Sequence, residues 1–485
     1  VRQRKPEFFL KTKLHSLFIA LTYLGGIHQT AATGTTVFPI ETNPAVIAYG
    51  TGIAFDGTNY LVAGLTGTNS SEVTNVNVQL VSPSGTLIGS PIYIGGGAGL
   101  HSVGLLAFGQ TNYLVAWSDS TISSGVDMFG QFISRTGAEV GSAFNLLASQ
   151  GTNGFQTVKG LATDGTNFLV VWQDGTNNNL YGQLATPAGT LSGSEFLLAS
   201  QLQGGASVAA TFGKTNYFIV WQSNVGAGVG NSNQVYGQFV SVNGSAGSPF
   251  QISQTASTDQ NFLALAFDGT NYLAVWPWDP GPETEMNVTN WQFYARLVSQ
   301  SGALVGNELN LITNRNEVIP SLAFDGTDYL LTYGFDSNTT NSDRNLFCQF
   351  IDRSANLVGP SFTPFPTMQG TNIPAFALDG TIFNGNKFVI AATLGTLGIN
   401  GEVYGTFIPA STSPPTLAST GPLVGTQFPL LLTGTPGINY AIQTSTNLAL
   451  ANWTALTTNS STNGTFSFTD TGATNKSRFY RAVTQ

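Results

Sequence analysis

The sequence predicts an all-β protein: a seven-bladed β-propeller of four-stranded blades closed by an N-terminal strand, followed by a small C-terminal β-sandwich. Three observations lead there. Composition is the first: 41% of the 485 residues are hydrophobic, only 8% are charged and 57 are glycine, a balance of strands and turns that excludes helical bundles and coiled coils. The second is a segment of the type A-F-D-G-T-N-Y-L-V-V-W that recurs seven times. Its post-turn aromatic falls at Tyr60, Tyr113, Phe168, Tyr217, Tyr272, Tyr329 and Phe388, and a repeat of about 55 residues lies in the range of propeller blades. The third is a missing strand in the last copy, matched by a spare one ahead of the first. A chain of this length also exceeds the roughly 250–300 residues that a single core serves. Its 33 Phe, 15 Tyr and 7 Trp offer more burial than a disordered chain could hide.

The first thirty residues differ from the rest. Arg2, Arg4, Lys5, Lys11 and Lys13 form a basic region, Leu14 to Ile27 is apolar, and Thr30, Ala31 and Ala32 are small, the pattern of a secretory signal peptide over residues 1–30. The apolar stretch is shorter than the ~20 residues of a membrane span. Removing these residues leaves 11 basic against 24 acidic side chains, a net charge of −13. Neither nucleic acid nor an anionic membrane surface suits that balance. The expectation is a secreted protein, in the periplasm, at the cell surface or in the medium, acting as a monomer. The single cysteine, Cys348, can form no internal disulfide.

Within each copy four strands follow in order. One runs into the turn, as in Ser321-Leu322-Ala323-Phe324, and the next leaves it, as in Asp328-Tyr329-Leu330-Leu331. Between them Asp-Gly-Thr-Asn supplies hairpin chemistry, so Asp56, Asp164, Asp268, Asp325 and Asp379 read as turn formers and not as acid–base groups. The third strand carries Y-G-Q-F, as at Tyr181-Gly182-Gln183-Leu184 and Tyr236-Gly237-Gln238-Phe239, and the fourth is seen at Phe144-Asn145-Leu146-Leu147 and Phe250-Gln251-Ile252. Cys348 stands where other copies have Gly130, Gly182, Gly237, Ala295 or Gly405, a slot for a small buried residue.

After Tyr404-Gly405-Thr406-Phe407-Ile408 the seventh copy has no fourth strand. Val37-Phe38-Pro39-Ile40 supplies one at the other end, and Phe38 lies 22 residues before Tyr60, as Phe250 lies 22 before Tyr272. Residues 37–42 are therefore expected to complete the seventh blade, which removes exposed sheet edges. The propeller spans 37–410. Beyond a Ser-Thr-Ser-Pro-Pro linker, alternation at Tyr440-Ala441-Ile442-Gln443, Thr465-Phe466-Ser467-Phe468 and Arg478-Phe479-Tyr480-Arg481 points to a β-sandwich over 411–485.

Two resemblances follow from these residues. The D-G-T-N-Y-L-V-V-W and Y-G-Q motifs resemble the repeats of secreted bacterial β-propeller proteins. Tyr440-Ala441-Ile442-Gln443-Thr444-Ser445-Thr446-Asn447-Leu448, then Trp453-Thr454, then Phe479-Tyr480-Arg481 is similar to a C-terminal module on secreted proteins of environmental Gram-negative bacteria. These likenesses imply architecture and export, and carry no functional residue with them.

Chemistry is expected where the innermost strands begin and where loops join second to third strands, because these share one face. The leading positions are Ala48, His101, Gln156, Gly205, Gln260, Glu317 and Thr371. His101 is the only histidine beyond residue 30. Trp117, Trp172, Trp221 and Trp276 occupy one repeat position, whereas Trp278 and Trp291 belong to none and flank the long loop that contains Asp279, Glu283 and Glu285. An indole beside carboxylates suits a carbohydrate, which offers C–H faces for stacking and hydroxyls for hydrogen bonds. The expected ligand-binding residues are Trp278, Trp291, His101, Gln156, Gln260 and Glu317, engaging a glycan or a protein. Oxygen-bearing Asp336, Asn338, Asn341 and Asp343 cluster without the order of a known Ca²⁺ loop, and no cofactor or metal is expected.

No H-E-x-x-H or G-x-S-x-G pattern occurs, so zinc hydrolysis and a serine triad have no support. The favoured function is a secreted binding or surface-interaction protein. A structural surface or matrix component is the alternative. The second alternative is a glycoside hydrolase or lyase, which would need a second carboxylate opposite Glu317 at the propeller mouth.

Overall fold

The repeat begins with a hairpin that four residues dictate. Asp56 Oδ1 accepts the backbone N–H groups of Thr58 and Asn59, both at 2.7 Å, while Gly57 takes a φ of 92° that only glycine adopts without strain. The same carboxylate turn recurs at Asp164, Asp268 and Asp325. These acids are thereby committed to backbone donors. The seventh copy corrects the sequence expectation. Asp379 lies inside the strand Ala375–Phe383, and the turn is built by Asn384, whose Oδ1 accepts from Asn386 and Lys387 at 2.9 and 2.8 Å. An amide oxygen replaces the carboxylate, so the Asp-Gly-Thr at 379–381 misplaces the turn by five residues.

A computed structural model describes residues 37–484 except 43–46, 70–71, 97–100, 120–126, 148–155, 203–206, 226–231, 256–261, 279–290, 316–319, 337–343, 366–374, 395–401, 412–415, 435–438, 447–451, 461–464 and 475–477. The expected signal segment lies outside the described residues. Two compact units divide at residue 410, one covering Gln29–Ala410 and the other including Ser411–Gln485.

In the larger unit the described residues form seven four-stranded antiparallel sheets. The first comprises Ile47–Phe55, Tyr60–Asn69, Glu72–Val81 and Leu87–Gly96 in spatial order. Five more follow the same pattern over 101–145, 156–199, 208–251, 264–315 and 320–362. The last takes Ala375–Phe383, Lys387–Leu394 and Glu402–Pro409 from the end of the unit and its outer strand, Val37–Glu41, from the beginning. That outer strand pairs Phe38 with Gly405 and Pro39 with Tyr404. The innermost strands touch in cyclic succession, and Ala375–Phe383 meets Ile47–Phe55 to return to the start. This arrangement is a β-propeller.

A separate apolar cluster fills each gap between successive sheets. Between the last and first sheets, for example, Phe38, Ile40, Val389, Val403 and Phe407 pack against Tyr60, Val62 and Val81. Burial on both faces explains why the second strands read as unbroken apolar runs such as Leu169-Val170-Val171-Trp172, all buried.

Three repeated devices lock neighbours together. The first is the aromatic after each turn, which reaches the turn of the preceding sheet: Tyr113 donates its hydroxyl proton to Asn59 O at 2.9 Å, and Tyr217 to Asn167 O at 3.1 Å. At the seam between last and first sheets, Asn384 Nδ2 donates to the Tyr60 hydroxyl. Second, the glutamine of Y-G-Q is buried and its amide clamps the outer strand. Gln183 Nε2 donates to Leu184 O, Ser192 O and Gly193 O at 3.1, 2.8 and 3.3 Å, and Gln131 and Gln349 do the same in their own sheets. In the fifth sheet Arg296 takes over, donating to Gly306 O at 3.0 Å. Third, an outer-strand apolar side chain covers a small residue on the third strand. Phe144, Phe196 and Phe250 lie opposite Gly130, Gly182 and Gly237, Phe362 lies opposite Cys348, and Phe38 lies opposite Gly405. Cys348 is fully buried and its thiol is pushed up to about 12 by that burial, which leaves it unreactive at neutral pH.

In the smaller unit Thr416–Ser419, Phe428–Thr433 and Thr465–Asp470 form one three-stranded sheet, and Thr454–Ser460, Asn439–Ser445 and Phe479–Thr484 another. Leu417, Phe428, Leu430, Leu432, Tyr440, Ile442 and Tyr480 make one core with contributions from both. The aromatic–basic motif acquires a physical role here. Tyr480 is buried and donates to Asp470 Oδ2 at 2.8 Å, the same oxygen that Arg478 Nε holds at 2.7 Å. Arg481 lies over the Trp453 ring at 4.4 Å and donates to Gln443 Oε1 at 2.8 Å.

Candidate functional site

Antiparallel pairing fixes which end of the propeller carries the predicted mouth. The start of each innermost strand lies opposite the finish of the second strand: Ala48 faces Thr66, His101 faces Asp119, and Gln156 faces Asp174. Loops that join second to third strands leave from this same end. Most of them, including 279–290, lie outside the described residues.

At this end the sixth position after the turn aromatic lies at or within three residues of the end of the second strand. It holds Thr66, Asp119, Asp174 and Ser223 in the first four sheets, and Trp278 in the fifth. Trp278 closes the strand Asn271–Trp278 and lies opposite Gln292. Trp276, two residues earlier, is fully buried, whereas Trp278 is half-buried. Its ring meets Tyr294 edge to face, with centroids 5.5 Å apart and planes at 65°. This geometry favours the ring quadrupoles and fixes the indole from one side. Gln292 in turn accepts a hydrogen bond from Asn310 Nδ2, so an aromatic side chain and two amides run across the end of one sheet.

The other expected site residues fare unequally. Trp291 starts the strand Trp291–Ser299 and lies opposite Arg315, and His101 starts His101–Phe108; the side chains of both lie outside the described ones. Gln260 and Glu317 fall outside the described residues altogether, as do Gly205, Thr371, Asn338, Asn341 and Asp343. Gln156 is buried, with 2% of its surface exposed, so it presents no open face to a ligand. Among the described residues no three His, Cys, Asp or Glu side chains gather to hold a metal ion.

Sequence reasoning missed two features of this end. Phe262 is 40% exposed and has a φ of 92°, a conformation unusual for a bulky residue, while its N–H donates to Ser207 Oγ of the preceding sheet at 2.9 Å. Lys159 lies at the bulge of its innermost strand between Val158 and Gly160. Burial holds its ammonium below the usual lysine range. Phe262 lies before the strand motif and Lys159 inside it, and neither position repeats, so no pattern in the sequence marks them.

No protein-family model matches the chain, and no curated protein does. Solved structures similar to it include a prolyl endopeptidase, with 11% identity and a TM-score of 0.46 over 81% of this chain and 54% of that one. The chain thus spans about half the length of that protein. Another is the β-propeller domain of the Trilobed protease from Pyrococcus furiosus, with 9% identity and a TM-score of 0.42 over 74% of this chain and 93% of that one. A thermostable family-43 glycoside hydrolase is similar at 10% identity and a TM-score of 0.32, over 52% of this chain and 89% of that one. At these identities and scores, none of them assigns an activity.

Proposed function

We propose that the chain is a secreted binding or surface-interaction protein: a seven-bladed propeller closed by its N-terminal strand, followed by a C-terminal β-sandwich, with a glycan or protein bound on the face that carries the second-to-third-strand loops. Seven sheets in cyclic contact and the pairing of Phe38 with Gly405 support the architecture. Two three-stranded sheets about one core support the sandwich.

The observation that carries the binding reading is Trp278. Four indoles of the repeat are consumed by packing between sheets, with exposures of 3% or less, but this one stands half-buried at the loop end, held edge-on by Tyr294. A part-exposed indole braced by Tyr294 suits the C–H face of a sugar ring. Trp291, His101, Gln260 and Glu317 would share that face.

A glycan array probed with the chain lacking residues 1–30 tests the reading, alongside Trp278→Ala and Trp291→Ala. The expected outcome is binding by the parent and a loss of about tenfold or more in Trp278→Ala, equivalent to roughly 1.4 kcal/mol, with melting temperature unchanged. Absence of binding by every form overturns the glycan reading, and would favour a structural surface or matrix component.

A further inference from the structure

The innermost strand of the third sheet, Gln156–Thr163, holds one residue more than its partner strand needs. Val158 lies opposite Trp172 and Gly160 opposite Val171, so Lys159 between them is the bulged residue. Its two neighbours occupy both faces of the strand. Val158 packs into the gap towards the second sheet, and a Cβ at Gly160 would meet Val208 of the fourth sheet at 3.3 Å. A bulge re-aims its extra side chain, here to the unpaired edge of the innermost strand, which in a propeller faces the axis. The first, second and seventh sheets are bulged at the same level, at Thr51, at Val103 and Gly104, and at Asp379. Only the third sheet places a cation there.

The part-buried Lys159 ammonium has no acceptor among the described residues, and burial alone acts on it. The other described cations of the larger unit differ. Arg135, Arg296, Arg353 and Lys387 each donate to a backbone carbonyl, and Lys214 is exposed in a turn at the opposite end. An ammonium that loses hydration without gaining a partner is costly.

Phe262 stands at the same level two sheets on. Its N–H donates to Ser207 Oγ, and Ser207 is the chain neighbour of Val208, the residue beside Gly160. Three successive sheets thus bring Lys159, Ser207 and Phe262 to one level below the loop end. With 40% exposure and a φ of 92°, Phe262 spends backbone strain on a ring that packing does not bury. Strain of this kind clusters at ligand clamps.

We infer that the mouth of the propeller binds a sugar carrying one carboxylate, a uronic acid at the end of a glycan, with the Lys159 ammonium on the carboxylate and the Phe262 ring against the C–H face. The inference rests on the glycan reading of the loop face and adds the charge of the sugar. A carboxylate is the acceptor that the ammonium lacks, and an exposed aromatic ring suits the apolar face. The net charge of −13 beyond residue 30 repels a polyuronate, which favours a lone acid group.

Calorimetric titration of the full chain with methyl β-D-glucuronoside and methyl β-D-glucoside, which differ only in the carboxylate, is the test. The parent should prefer the glucuronoside by about tenfold or more, as a hydrogen bond between charged groups provides. Lys159→Met keeps the apolar stem and should abolish the preference without lowering the melting temperature, while Lys159→Arg should retain it. Phe262→Gly fits the backbone and should weaken both sugars with no loss of melting temperature. Equal binding of the two glycosides by the parent overturns the inference and leaves the glycan reading standing; binding of neither overturns both. A fall in melting temperature shared by Lys159→Met and Asp379→Asn, with the sugar preference unchanged, also overturns it, because the ammonium would then pair within the protein. Tighter binding of N-acetylphenylalanine than of the glucuronoside overturns it in favour of a peptide C-terminus.

Discussion

Tyr113 shows how one side chain acts in two sheets: its ring fills the gap between them and its hydroxyl closes on Asn59 O of the neighbour. Phe168 and Phe388 hold the same place without a hydroxyl and are as deeply buried, so the ring supplies the packing and the phenol adds register. Burial pushes Tyr60 and Tyr272 up to about 12. Tyr113, Tyr217 and Tyr329 are pushed up further, first by burial and then by the turn aspartate of the preceding sheet. An unfolded tyrosine titrates near 10, so the folded state holds these protons more tightly than the unfolded one. Their contribution is complete below pH 10 and is lost as the pH rises from 10 towards 12. Urea midpoints are therefore expected to stay level from about pH 7 to 9 and to fall steeply above about pH 10. In the double variant Tyr60→Phe/Tyr272→Phe that fall should be shallower. A variant as steep as the parent would show that the phenols carry no linkage.

The outer strand is the element on which the sequence was most informative and also most deceptive. Phe38 was recognisable as a strand belonging elsewhere because its distance to Tyr60 matches that of Phe250 to Tyr272, and the structure places it on Gly405. The reason for glycine at that point was not legible. A Cβ at Gly405 would overlap the Phe38 ring, just as one at Gly130 would lie 2.9 Å from Phe144. Gly405→Ala should thus force the ring aside and cost about 1–3 kcal/mol, the usual penalty of overpacking. Chemical denaturation checks this, and a loss under about 0.5 kcal/mol, the range of neutral surface changes, would mean that the strand does not seat there. The Y-G-Q glutamine was visible as a motif, but its work of clamping the outer-strand bulge spans nine and ten residues, too far for a local pattern to reveal. Asp379 misled for the opposite reason: a correct local motif lay inside a strand whose turn Asn384 had taken over. At the candidate site, the departure of Trp278 from the repeat followed from the sequence. The burial of Gln156 did not, because strand order gives a residue's position and not the depth of the groove around it.

At the scale of the whole molecule, the repeat gives every sheet the same two neighbours, and only the joint between last and first depends on a distant segment of chain. Several bonds converge there. Asn384 meets Tyr60, and Lys387 donates to Pro83 O at 2.8 Å while lying over the Phe407 ring. The first sheet has Gly64 opposite Asn77 at the same joint, where four other sheets stack two aromatic rings. Closure by the N-terminal strand therefore governs stability and the spacing of the loop ends that would bind a ligand. The direct measurement is a cross-link between Val37→Cys and Thr406→Cys, residues directly opposite in the register and so about 4.5–5.5 Å apart at Cα, within disulfide reach. Cys348 is fully buried and does not compete. Mild oxidation followed by peptide mapping should yield one disulfide joining positions 37 and 406 within a single chain; a chain that stays reduced, or one linked only to a second copy, would contradict closure by this strand.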